Sequence, residues 1–321
     1  MKIDRHWPRS SGFALDLRRY VAQGGHLRQR RPVLLVPGYC MNTTPLTFHP
    51  SGPSLIEFLV ARGFEVWTSN LRGQGESRSE GGTRDVGFRV LALEDLASAL
   101  RHVREHTETG ADRVDVVGCS LGGTYVFAYL AHHPEDHGIG SVVGIGAPLS
   151  WSSAHPLMRF AFGSPALTRR LHISGTRRAA SLVLPFIAKR APRLLSMYMN
   201  TSIVDLSRAD ELVKTVEDPI AKLNSEIARW VESGDLFVAG INVTKALGRI
   251  DRPLLCVVAN RDGIVPPQAA RSALDAFGSA ERHELAVGDD QTWFAHADLF
   301  ISRHAETRVF APLADWLLAQ S

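Results

Sequence analysis

Residues 114–123 read VDVVGCSLGG and set two nucleophile types, Cys119 and Ser120, side by side between glycines. A β-branched run entering G-x-S-x-G and leaving into a helical stretch has the spacing of a nucleophile elbow. In such a turn Gly118 and Gly122 let neighbouring backbone pass close, and the central residue presents its side chain. The central residue is Ser120. Cys119 stands one position early and is expected to point elsewhere. A helix starting at Leu121 would bring its free N–H groups and its dipole to the same place. A glycine-rich turn without chemistry would look the same locally, so the serine needs partners. A hydroxyl is a weak nucleophile without a base, and the base needs an acidic group to orient it.

The surrounding elements must bring such partners together. Residues 32–36 (PVLLV) form a short apolar run closed by Pro37-Gly38, which predicts a buried strand. Further strands are predicted at 64–68, 114–118, 141–145, 253–259 and 283–287, and an edge strand at 13–20. Helices are predicted at 55–61, stopped by Gly63, at 88–107, at 121–132 and at 307–318. Strand and helix thus alternate over 32–147 and again from 253 onward, which predicts a mostly parallel sheet covered on both faces. The chain between about 150 and 250 has helical periods, no convincing strand and five dividing prolines. It reads as a helical insertion over the end of the sheet.

The chain has 321 residues, 45% of them apolar, enough for one large α/β domain with an insertion. A formal charge of +3 is too small to argue for nucleic acid. No apolar run reaches the ~18–20 residues of a membrane span, and the N-terminal stretch has no secretory core. Cys40, Cys119 and Cys256 form neither a disulfide framework nor a metal pair, so a reducing cytoplasm is expected.

Four stretches together resemble the α/β-hydrolase family across nearly the whole chain. They are VLLVPG at 33–38, NLRGQGES at 70–77, GCSLGG at 118–123, and NRDGIVPP at 260–267 followed by His296. The resemblance implies an eight-stranded, mainly parallel sheet with a cap after the sixth strand: a core of 1–149 and 251–321 and a cap of 150–250. It implies the chain order Ser, Asp, His, with the acid after the seventh strand or sometimes the sixth. No Asp or Glu occurs between Asp136 and Asp205, which leaves Asp262. Of the histidines that follow, His283 reads as a strand residue and His304 as a surface residue. His296 stands where the family places its base. The oxyanion donors implied are the backbone N–H groups of Leu121 and Tyr39. The family's His-Gly-x is replaced here by Pro37-Gly38-Tyr39. Asn70 reads as structural.

The activity implied is a serine carboxylic-ester hydrolase needing no metal or organic cofactor. Epoxide hydrolases and haloalkane dehalogenases would need a carboxylate at 120. Polyhydroxyalkanoate synthases share the fold but centre a cysteine in the elbow. An acyltransferase, a cofactor-free haloperoxidase and a non-catalytic sensor on the same scaffold remain as alternatives. For the substrate, the acid-free run 138–204 carries Arg159, Arg169, Arg170, Arg177, Arg178, Lys189, Arg190 and Arg193 among apolar residues. Met158, Met197 and Met199, with Cys40 and Met41, are expected to border an acyl pocket. A basic rim would allow peripheral contact with anionic lipid. The plainer alternative is apolar packing under solvated cations.

Overall fold

Eight strands build the main sheet: β1 (Lys2–His6), β2 (Asp16–Val21), β3 (Val33–Val36), β4 (Val66–Asn70), β5 (Val114–Cys119), β6 (Ile139–Ile145), β7 (Leu254–Ala259) and β8 (Arg282–Val287). They come from a computed structural model that describes residues 1–26, 30–83, 86–135, 137–151 and 175–320. Their order across the sheet is β1-β2-β4-β3-β5-β6-β7-β8. The first two pairings, β1 with β2 and β2 with β4, are antiparallel, and all others are parallel. The eight-stranded, mostly parallel sheet flanked by helices is the one the resemblance implies.

The run VLLV in β3 is apolar throughout because both of its faces are covered. Val33 and Leu35 belong to one buried cluster, and Leu34 and Val36 to the other. Helices α1 (Leu55–Ala61) and α7 (Ala311–Ala319) supply the first face, and α2 (Leu96–His106), α3 (Leu121–His132) and α6 (Pro267–Ala276) the second. Each fully buried Val or Leu contributes about 1.5–3 kcal/mol, so the central strands anchor the fold. Local signals set the helix ends. Ser54 and Glu57 close a reciprocal capping box at the start of α1, and Gly63 ends it at φ +85°.

Two expectations are corrected. The stretch 13–20 is not an edge strand: β2 lies between β1 and β4, and Lys2–His6 takes the edge. The chain between β6 and β7 also does contain strand, a hairpin of Phe237–Val238 and Ile241–Asn242. Its two-residue loop, Ala239-Gly240, has both φ values positive (+44° and +85°), the form that matches strand twist.

The described part of that intervening chain includes α4 (Thr176–Arg190) and α5 (Ala221–Ser233). It packs into the same two clusters as the sheet. Leu223, Ile227, Trp230 and Val243 join the α3 side, and Met199, Ile203 and Leu212 join the α7 side.

Candidate active site

Ser120 follows β5 directly and α3 starts at the next residue. Its backbone sits at φ +52°, ψ −127°, a region that non-glycine residues occupy at a cost of about 1–3 kcal/mol. Fixed partners hold it there. Its N–H donates to the carbonyl of Ile145 at 2.8 Å, and its carbonyl accepts from Gly123 N–H at 3.0 Å. The glycines are required by space: a Cβ on Gly118 would strike the backbone of Gly123, and one on Gly122 the carbonyl of Val36. Cys119 is fully buried, and burial pushes its thiol up, away from the reactive thiolate.

Asp262 lies in the turn after β7. Its Oδ1 accepts from the N–H groups of Ile264 and Val265, both at 2.8 Å. Its Oδ2 meets Nδ1 of His296, in the loop after β8, at 2.6 Å. A carboxylate can only accept, so Nδ1 carries the proton and Nε2 is left to act as base. Burial opposes the charged imidazole, but Asp262, by charge and by hydrogen bond, and Asp298, by charge, outweigh it and raise the His296 pKa. Ser120 and His296 both adjoin the end of β6. Ser120 bonds Ile145, and the next residue, Gly146, has its Cβ direction only 3.1–3.2 Å from Cε1 and Nδ1 of His296. Among the described residues, no hydrogen bond joins the Ser120 hydroxyl to the imidazole; such bonds often close only with substrate in place. His283 is exposed on β8 and His304 is half-buried beside Phe294.

The loop after β3 runs along the elbow. Gly38 has its Cβ direction 2.8 Å from Cβ of Ser120 and 3.2 Å from the Leu121 nitrogen. The loop that in the family carries a histidine is braced here by other groups. Gln74 Nε2 donates to the Gly38 carbonyl at 2.8 Å, and Gln74 Oε1 accepts from Leu71 N–H at 2.9 Å. Asn70 Oδ1 accepts from Thr43 N–H at 3.1 Å. The Cys40 carbonyl accepts from Glu217 N–H at 2.9 Å. Glu217 Oε1 in turn accepts from Asn42, Gly75 and Arg177 at 2.6, 3.1 and 2.6 Å. The Tyr39 hydroxyl donates to Asn224 on α5. Arg72, wholly buried, forks onto Asp95 at 2.6–3.0 Å. Sequence reasoning missed the roles of Gln74 and Glu217. The NLRGQGES stretch carried a signal for the first; nothing local marked the second.

A cavity of about 200 Å³ opens against His296. Its walls are mainly apolar and include Met41, Pro45, Met199, Leu212, Val216 and Phe300. Of the expected pocket residues, Met41 and Met199 line it. Cys40 does not: with φ +51° it turns into a separate cleft beside Tyr39, Gln74 and Glu217. Met197 does not either, because its backbone packs on Gly263, 2.8 Å from that glycine's Cβ direction. Met158, Arg159, Arg169 and Arg170 lie outside the described residues. Arg177 pairs with Glu217, while Arg178, Arg190 and Arg193 are exposed.

No helix among the described residues is long and apolar enough to cross a membrane. Among the same residues, no group of three or more His, Cys, Asp or Glu is placed to hold a metal ion.

Known proteins share the fold that carries these residues. A protein encoded in the traX–finO intergenic region of Escherichia coli is 22% identical over 98% of both chains. The poly(3-hydroxyalkanoate) polymerase subunit PhaC of Allochromatium vinosum is 22% identical, covering 90% of this chain and 81% of its own. Among solved structures, the esterase RhEst1 from Rhodococcus sp. ECU1013 superposes with a TM-score of 0.62 over the whole of both chains, at 17% identity. The family model for the alpha/beta hydrolase fold matches residues 31–290, and the chain belongs to that family.

Proposed function

We propose that this chain is a serine carboxylic-ester hydrolase acting on hydrophobic acyl esters. The observation that carries the reading is the joint presence, at the ends of β5 to β8, of a strained Ser120, a His296–Asp262 pair at 2.6 Å and an apolar cavity against His296. Ser120 Oγ attacks the acyl carbon while His296 Nε2 takes its proton. Asp262 holds the tautomer and balances the imidazolium. The N–H groups of Leu121 and Tyr39 receive the oxyanion. His296 then returns the proton to the leaving alcohol, and water repeats the sequence to release the acid. Residues 150–250 serve as the cap over this site.

The cavity suggests the acyl length. A methylene is about the size of a water molecule, whose share of liquid volume is about 30 Å³. A cavity of about 200 Å³ therefore has room for several carbons of an acyl chain. Each buried methylene contributes about 0.8 kcal/mol, so kcat/KM should climb with acyl length from acetate until the cavity is full and then level. The test is a p-nitrophenyl ester series with wild type and Ser120→Ala, together with fluorophosphonate labelling. The variant should lose label and at least about 10³-fold in turnover. A monotonic fall from acetate would sink the acyl assignment, and a labelled Ser120→Ala would sink the nucleophile.

Likeness to a polymerase subunit supports acyl transfer as a second reading. Adding an alcohol acceptor separates the two: a transferase makes the new ester in preference to free acid.

A further inference from the structure

Two residues beyond His296 stands a carboxyl group for which the proposed reaction has no task. Asp298 is completely buried. Its oxygens accept three backbone hydrogen bonds from two separate segments. Ala295 N–H donates to Oδ2 at 2.7 Å, and Asn200 N–H is shared by Oδ1 and Oδ2 at 3.0 and 2.8 Å. The first lies in the His296 loop itself. The second lies in the chain between β6 and β7, some hundred residues earlier.

The segment that reaches Asp298 is fastened along its length. The Met197 carbonyl accepts from Gly263 N–H at 3.1 Å, beside Asp262, and the Tyr198 carbonyl accepts from Ala297 N–H at 2.8 Å, beside His296. The Asn200 side chain donates to the Trp293 carbonyl at 2.9 Å. Residues 197–200 therefore cross from the acid turn to the base loop, and Asp298 closes the far end.

We propose that Asp298 is a positioning residue of the base, which bolts the His296 loop to residues 197–200 and adds a second negative charge behind the imidazole. The proposal rests on His296 being the base of the reaction argued above. A single oxygen, Oδ2, already accepts from both segments, so an amide could hold the same contacts and what it would lack is the charge. A carboxylate serves donors from both segments at once and also acts on the imidazole through its charge.

The titratable groups facing this array are Asp262 from the turn after β7, His296 and Asp298 from the loop after β8, and Tyr198 from the crossing segment. Burial pushes the Asp298 carboxyl up to about 7; the Ala295 and Asn200 amides and His296 pull it down, and Asp262 adds to the rise. The Tyr198 phenol, its side chain partly exposed, is held up by the charges of Asp262 and Asp298 and stays neutral near pH 7. As pH rises through the Asp298 range, its ionisation strengthens the hold of His296 on its proton. Their titrations are then coupled, and the pair shows two macroscopic steps.

The experiment is an NMR pH titration of the His296 ring in the full chain, run on wild type and on Asp298→Asn, with ester kinetics beside it. Wild type should titrate in two steps. Asp298→Asn should titrate in one, with its midpoint lower by about half to one pH unit. The acid limb of kcat/KM should move down with it, and kcat should fall about tenfold with KM within about twofold. The two-step curve of wild type reads the coupling itself, independently of any loosening of the loop in the variant. Identical titrations in the two proteins overturn the proposal. If Asp298→Asn does not fold, the wild-type curve decides: a single step at the ordinary histidine value overturns it. Coupled titration in a protein that hydrolyses no ester would support the bolt and remove the hydrolase reading instead.

Discussion

Gly146 keeps a place for the proposed base by having no side chain. Its φ of +56° is one that other residues resist, and a Cβ there would press on the His296 ring at 3.1–3.2 Å. Gly146→Ala should therefore tilt the imidazole away from Asp262. We expect kcat/KM to fall about 10²-fold, with a stability loss of only about 1–3 kcal/mol. Kinetics and a thermal melt on the same preparation check this, and an alanine variant with wild-type kcat/KM would show that the ring has slack. The contrast among residues is instructive. Ser120 and Asp262 stood out because each sits in a short motif, and His296 by its place after the last strand; the structure brings Asp262 and His296 to 2.6 Å. Gly146 and Asp298 were not. One acts through the space it leaves and the other through backbone amides, and neither leaves a pattern in neighbouring letters.

Elements show the same division. Strands β3 and β7 are short apolar runs buried on both faces, so composition alone marked them. Strand β1, KIDRH, is mostly polar and partly exposed. It exists because β2 offers an antiparallel partner, and no local signal says so. Likewise the helix expected at 88–107 contains a wide π turn over Leu91–Asp95, within which Asp95 meets Arg72. The turn after β4 is the element with the most direct bearing on the loop after β3. Gln74→Leu would leave the Gly38 carbonyl and the Leu71 N–H without their partner, at a cost of about 1–3 kcal/mol for each buried group left bare. Because the released loop carries a proposed oxyanion donor, kcat should drop about three- to tenfold while KM changes little. An equal rise in KM with kcat unchanged would assign the loop to binding instead.

At the scale of the whole molecule, the sheet sets the candidate site at one end, outside the carboxyl ends of parallel strands β5 to β8, as open α/β sheets do. The other margin carries a different chemistry. His6 on β1 meets His102 on α2 at 3.0 Å, His102 stacks on His106 at 3.9 Å, and His6 lies 4.9 Å from the Trp67 ring. Burial lowers the His102 pKa to about 4, with His106 and His6 adding to it, and burial and His106 lower His6. The folded state therefore prefers these rings neutral. Their contribution is complete above the ordinary value of 6.5 and is lost as pH falls toward 4. Calorimetry should find Tm falling over that window, with a shallower fall in His102→Leu; parallel curves would acquit the cluster. The crossing segment at 197–200 has a consequence for anyone who would recombine this scaffold with a relative's. The chain between β6 and β7 looks like an exchangeable part, to be cut at its two junctions and replaced. Yet Met197, Tyr198 and Asn200 splint the loops of the proposed acid and base, and Glu217 splints the loop before the elbow. A graft that preserves the alignment must be joined inside those fastenings, before Met197, and one joined outside them will carry off the alignment together with the exchanged segment.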